Sequence, residues 1–149
     1  MRARAELASG LPIEGVRYLE HAADIGLEAE GASLAECLAR AAAGVFGLMF
    51  RVEAGLEPRQ VYELDLEAAD DDELMVSWLQ ELLYRAEVDE ICFLRFEVET
   101  DGDRLKGRAA GVPIRSVEPA GPGVKAVTRH GLEVGRRNGR WKARVLLDV

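Results

Sequence analysis

The chain is expected to adopt an α+β fold in two layers, a largely antiparallel sheet with two helices packed on one face. Three observations point there. Most short segments alternate apolar and polar residues, the pattern of a strand with one wet face. Two segments, beginning at Ser33 and near Asp70, instead place apolar residues at helical spacing. The second half has no strand-helix-strand rhythm, and hairpin signals at Asp101-Gly102 and Asn138-Gly139 tie successive strands antiparallel.

The 149 residues are enough for one domain. Residues 1–12 are polar and aperiodic and are expected to form a flexible N-terminal arm, leaving 13–149 as a single domain. Val16 to Glu20 begins the strands, and Leu27 to Glu30 gives a second short one with its glutamates in water. Ser33-Leu34-Ala35-Glu36 is a capping box, from which a helix runs to about Phe50. Its stripe is Leu34, Leu38, Ala41, Val45 and Leu48, and its alanine-rich middle lets it lie close to a sheet. Val61 to Glu67 alternates Tyr62, Leu64 and Leu66 against three acidic residues. Asp70-Asp71-Asp72 suits the N-cap and first turn of a helix to about Arg85, because carboxylates favour the positive end of the helix dipole. Trp78 anchors that helix in the core and needs a partner for its indole N–H. Beyond it, Leu94, Phe96 and Val98 line one face of a strand that returns after Asp101-Gly102. A loop spans Val112 to Gly123, and the segments 124–128 and 132–134 flank Arg129-His130-Gly131 before the final strand, Trp141 to Asp148.

The net charge is −8, which argues against generic binding to a phosphate backbone. Its distribution is uneven: Asp101 to Val149 carries +6 and the first hundred residues −14. Cys37 and Cys92 are far apart with no metal-type spacing, so both read as buried thiols in a reducing compartment. Neither a signal-peptide pattern nor an apolar run long enough to span a bilayer is present, which makes the cytoplasm the expected location.

The sequence contains no nucleophile elbow, no phosphate-binding loop of the Walker type and no dinucleotide fingerprint. Carboxylate chemistry is what remains. In Glu20-His21-Ala22-Ala23-Asp24-Ile25-Gly26, a histidine and an aspartate three apart fit either a metal or general-base site or a tight bend between strands. At the other end, Leu147-Asp148-Val149 places Asp148 and the α-carboxylate of Val149 together beside a strand end. Joined by Asp24, these oxygens would suit a hard cation such as calcium or magnesium; the alternative is a solvated terminal residue.

Five separated segments then agree with one family. Residues 18–26 (YLEHAADIG), 46–50 (FGLMF), 78–84 (WLQELLY), 124–128 (VKAVT) and 147–149 (LDV) resemble the archease family in order and spacing. The resemblance implies a non-enzymatic partner of the RtcB-type RNA ligase of tRNA splicing and RNA repair. Such a partner promotes guanylylation of the ligase histidine and multiple turnover. It also implies a divalent cation, calcium above magnesium or manganese, held by Asp24, Asp148 and Val149. His21, Lys125 and His130 are candidates for partner contact or support of the site, and no direct nucleic-acid binding is expected. Two positions depart from the family pattern: Ala22 replaces a threonine whose hydroxyl would support the bend, and Arg129 stands where an aromatic is common. The competing readings are a metal-dependent enzyme using Asp24, Asp148 and His130 on a phosphorylated substrate, and a general chaperone or RNA-binding module.

Overall fold

Local sequence signals start both helices in the computed structural model, which describes residues 2–7, 13–20 and 24–149. The Ser33 hydroxyl accepts from the Glu36 amide at 3.1 Å, and the Glu36 carboxylate returns to the amide of Ala32 rather than to that of Ser33. This opens α1, Leu34–Met49. Asp70 caps α2, Asp71–Asp89, by accepting from the Glu73 amide at 2.8 Å. That helix continues one turn past Arg85 and stops at Glu90, whose φ of 54° ends the helical repeat.

Among the described residues the strands are β1 Arg2–Glu6, β2 Val16–Glu20, β3 Asp24–Gly31, β4 Phe50–Arg51, β5 Gln60–Glu67, β6 Ile91–Asp101, β7 Arg104–Pro113, β8 Glu118–Pro119, β9 Ala126–Arg137 and β10 Arg140–Asp148. They form two four-stranded antiparallel sheets, ordered β1-β6-β7-β5 and β2-β3-β10-β9, and a short β4-β8 ribbon. The α+β class therefore holds, but the expected single sheet is two. Each helix contacts strands of both sheets, so the helices form a middle layer instead of covering one outer face. The cause is visible in α1. Ala35, Ala39, Ala41, Ala42 and Ala43 are all fully buried alongside Leu38 and Phe46, with Glu36 and Arg40 the only charged residues of the helix, and a helix apolar over most of its circumference has to be enclosed on more than one side.

The N-terminal arm also differs from expectation. Arg2–Glu6 pairs with β6 from Arg2↔Glu99 to Glu6↔Arg95, and the Leu7 amide continues the ladder to Leu94 O. Ala3, Ala5 and Leu7 alternate with charged residues, so one side of the arm reaches the core while Arg2–Glu99 and Arg95–Glu6 ion pairs border the other. Residues 8–12 lie outside the described residues.

Both hairpin turns form. Asn138 and Gly139 each take positive φ, the type I′ pattern, and at the other turn Gly102 supplies the positive φ between the paired Asp101 and Arg104. A bulge in β6 alters the expected inward face: Phe93 pairs with Gly111 and Arg95 with Ala110, leaving Leu94 extra. Phe93 and Phe96 therefore both enter the main core, whereas Leu94 turns to a second cluster with Val52, Cys92 and Val112. The expected loop after Val112 is partly ordered by a 3-10 turn, Ile114–Ser116, and by β8.

Both cysteines are fully buried and unpaired, and burial pushes each thiol up to about 12. The native protein is expected to show no thiol reacting promptly with a disulfide reagent at pH 8, and both thiols reacting in denaturant. Prompt labelling of either in native protein would contradict the packing.

Candidate metal centre

Strand pairing brings the two signature aspartates together. On β3, Leu27 and Ala29 face the helices, and on β10 Ala143, Val145 and Leu147 do the same. The intervening Glu28, Glu30, Lys142 and Arg144 face outward. Asp24 and Asp148 share that outward parity. They are direct cross-strand partners, Asp148↔Asp24, at the end of the β3-β10 ladder, and both are half-buried. Ala126 of β9 lies opposite Asp148 on its other side, and the Lys125 amide donates to Asp148 O at 2.8 Å.

Like charges directly across a ladder repel, with side chains close enough to share a ligand. Elsewhere on this face the sheet answers each glutamate with a cation: Arg144–Glu28 at 3.2 Å and Arg140–Glu30 at 2.7 Å. Among the described residues no lysine or arginine pairs with Asp24 or Asp148. Adjacent unpaired carboxylate oxygens are the donor type that hard divalent cations take. The two aspartates thus fit part of such a site.

The other expected participants are placed differently. No group of three or more His, Cys, Asp or Glu side chains suited to a metal occurs among the described residues, so His130 is not drawn into a cluster with Asp24 and Asp148. It is exposed on β9, and its backbone N–H donates to Thr128 Oγ1 at 3.2 Å. Lys125 is exposed and makes no ion pair among the described residues. Val149 follows Asp148 and is half-buried. His21 and Ala22 lie outside the described residues.

Sequence spacing did not reveal how α2 holds the outer edge of β9. Asp72 accepts from the Val134 amide at 3.0 Å, Gln80 donates to Val127 O at 3.3 Å, and Glu73 receives a bidentate pair of bonds from Arg129 at 2.8 and 3.0 Å. The last bond holds the Glu73 carboxyl below its ordinary value. The acidic run at Asp70 was the available signal, but capping and dipole effects account for it locally; its long-range bonds depend on the fold.

The profile of the Archease protein family (MTH1598/TM1083) matches residues 17–149. The chain belongs to the archease family. It is 36% identical to protein archease of Methanosarcina mazei over 149 aligned residues, spanning 93% of this chain and all of that one. To protein archease of Methanopyrus kandleri the identity is 34%, over 88% of this chain and 96% of the relative. The solution structure of Methanobacterium thermoautotrophicum protein 1598 superposes with a TM-score of 0.77 at 30% identity, covering 91% of this chain and 99% of that protein. A crystal structure from Thermotoga maritima, described as an archease and possible chaperone, gives a TM-score of 0.63 at 20% identity over 88% and 94% of the two chains, and shares the fold. The archease match begins at Arg17, so β1 lies outside it.

Proposed function

We propose that this archease is a non-enzymatic cofactor of an RtcB-type RNA ligase, promoting ligase guanylylation and repeated turnover through a cation-binding acidic end. The observation carrying this reading is the Asp24–Asp148 cross-strand pair with no cationic side chain to neutralise it among the described residues. Membership in the archease family supports the reading, and the ligase is the partner that the sequence resemblance implies.

Asp24 and Asp148, with the α-carboxylate of Val149, would hold a divalent cation of the calcium type. When bound, that cation supplies positive charge beside an otherwise repelling pair and an electrophilic contact for phosphate oxygens. The chain's own groups do the rest: β3 and β10 fix the carboxylate spacing, and Lys125, whose backbone amide donates to Asp148 O, is exposed and free to bring its ammonium to a docked phosphate. Docking this end at the ligase nucleotide site would place both positive groups near the triphosphate.

The test is guanylylation of the cognate ligase with wild type, Asp24→Ala and Asp148→Ala. Each variant is expected to lower stimulation by about tenfold or more, the scale on which groups around a metal act. Full stimulation by both variants would remove the acidic pair from the mechanism. The competing metal-enzyme reading requires His130 beside the aspartates, and the described residues do not form that trio.

A further inference from the structure

Near the acidic pair, β9 departs from β10 in a way the proposed site does not use. Arg144 pairs with Glu133 and Leu146 with Thr128, so β9 spends Arg129, His130, Gly131 and Leu132 where β10 has only Val145. Gly131 makes the bend with a φ of +69°. A Cβ placed on Gly131 would lie 3.7 Å from Leu146 Cδ1, so Gly131 passes near Leu146. With Gly26 of β3 approaching from the other side, Leu146 is only 8% exposed although it faces outward. Leu146 is two residues from Asp148 on β10, which sets the bulge beside the acidic pair.

An extra loop in an edge strand is soft unless something outside the ladder holds it. Here α2 does so at both ends: Gln80 takes Val127 O before the bulge and Asp72 takes the Val134 amide after it. Between them the Arg129 guanidinium grips both oxygens of Glu73, and the Thr128 hydroxyl receives the His130 amide. The Glu73–Arg129 pair is exposed, and exposed ion pairs contribute little to global stability. Its two-point geometry instead fixes the direction in which the bulge leaves the sheet. The His130 side chain is exposed at the bulge, with no hydrogen bond from its imidazole among the described residues.

We infer that the Arg129–Leu132 bulge is a second contact element for the ligase beside the acidic pair, with Glu73 and Arg129 as the positioning residues that aim it. The contact claim rests on the ligase reading above; the positioning claim concerns the isolated chain. The partner surface it fits is one that already receives the Asp24–Asp148 end, because Thr128, where the bulge starts, pairs with Leu146, two residues from Asp148 on β10.

The experiment combines amide hydrogen exchange on the isolated full chain with ligase titrations, using Glu73→Gln, Arg129→Ala, the double variant and His130→Ala. Glu73→Gln and Arg129→Ala are expected to speed exchange at His130 to Leu132 by about tenfold, with the double variant no faster than Arg129→Ala, as for residues acting as a unit. Both single variants and His130→Ala are expected to raise the archease concentration for half-maximal guanylylation by about tenfold, the effect of losing one strong interface contact. Calcium-induced stabilisation should remain at the wild-type value, which a general loss of structure would not allow. Unaltered exchange in Glu73→Gln and Arg129→Ala would overturn the positioning role. Unaltered half-saturation in Arg129→Ala and His130→Ala, with wild type stimulating normally, would overturn the contact role alone, whereas a wild type that never stimulates would overturn the ligase reading with it.

Discussion

Trp78→Ala is expected to remove about 4 kcal/mol of unfolding free energy, the cost of emptying a buried aromatic site. The side chain is fully buried on α2, and its indole N–H donates to Leu38 O of α1 at 2.9 Å. Its ring lies against Gly107 of β7, so close that an added Cβ there would clash with Cζ3. One residue therefore joins both helices of the middle layer to the first sheet. The gap is bounded by rigid elements and cannot collapse cheaply, so the melting temperature should fall by about 10–15 °C for a chain of this size. Trp78→Phe keeps most of the bulk and loses the hydrogen bond, for about 1–2 kcal/mol. Urea denaturation followed by far-ultraviolet circular dichroism measures both. A loss below about 1 kcal/mol for Trp78→Ala would mean that the layers are not coupled through this ring.

Asp24→Asn and Asp148→Asn are expected to separate stability from cation response. Without cation each variant removes a like charge from a cross-strand pair and should be as stable as wild type, or more stable by up to about 1 kcal/mol. With calcium at about a hundred times its dissociation constant, wild type should gain about 2.7 kcal/mol and the variants little of it. In thermal scans this is a rise of about 5–10 °C confined to wild type. Residues appended after Val149 should reduce the same rise by displacing the α-carboxylate. Equal calcium-induced shifts in wild type and both asparagine variants would show that the pair is not the cation site.

Much of the chain can be read locally because each signal involves neighbours within a few residues. Ser33 with Glu36 and Asp70 with Glu73 start the helices where the capping pattern puts them. Asn138-Gly139 makes the turn that its backbone preference favours. The pairing of Asp24 with Asp148 was legible for a different reason: Asp24 begins one strand and Asp148 ends another, and antiparallel pairing matches a start with an end. Bulges and layers were not legible in the same way. Strict alternation grouped Leu94 with Phe96 and Val98, and a single extra residue opposite β7 sent it to the second cluster.

By itself, then, the sequence determined the α+β class, the helix starts, the hairpins, the family and the placing of two aspartates at strand ends. Tertiary structure alone decided that the strands divide into two sheets around the helices, that Arg2–Glu6 joins the first of them, and that His130 stands on a bulge instead of among the carboxylates. It also engaged Arg129 with Glu73 across the gap between β9 and α2. The reason is range. Caps, turns and periodicity are set by energies between residues adjacent in sequence, whereas sheet partition, bulge placement and the Arg129 contact depend on which distant surfaces must be buried together.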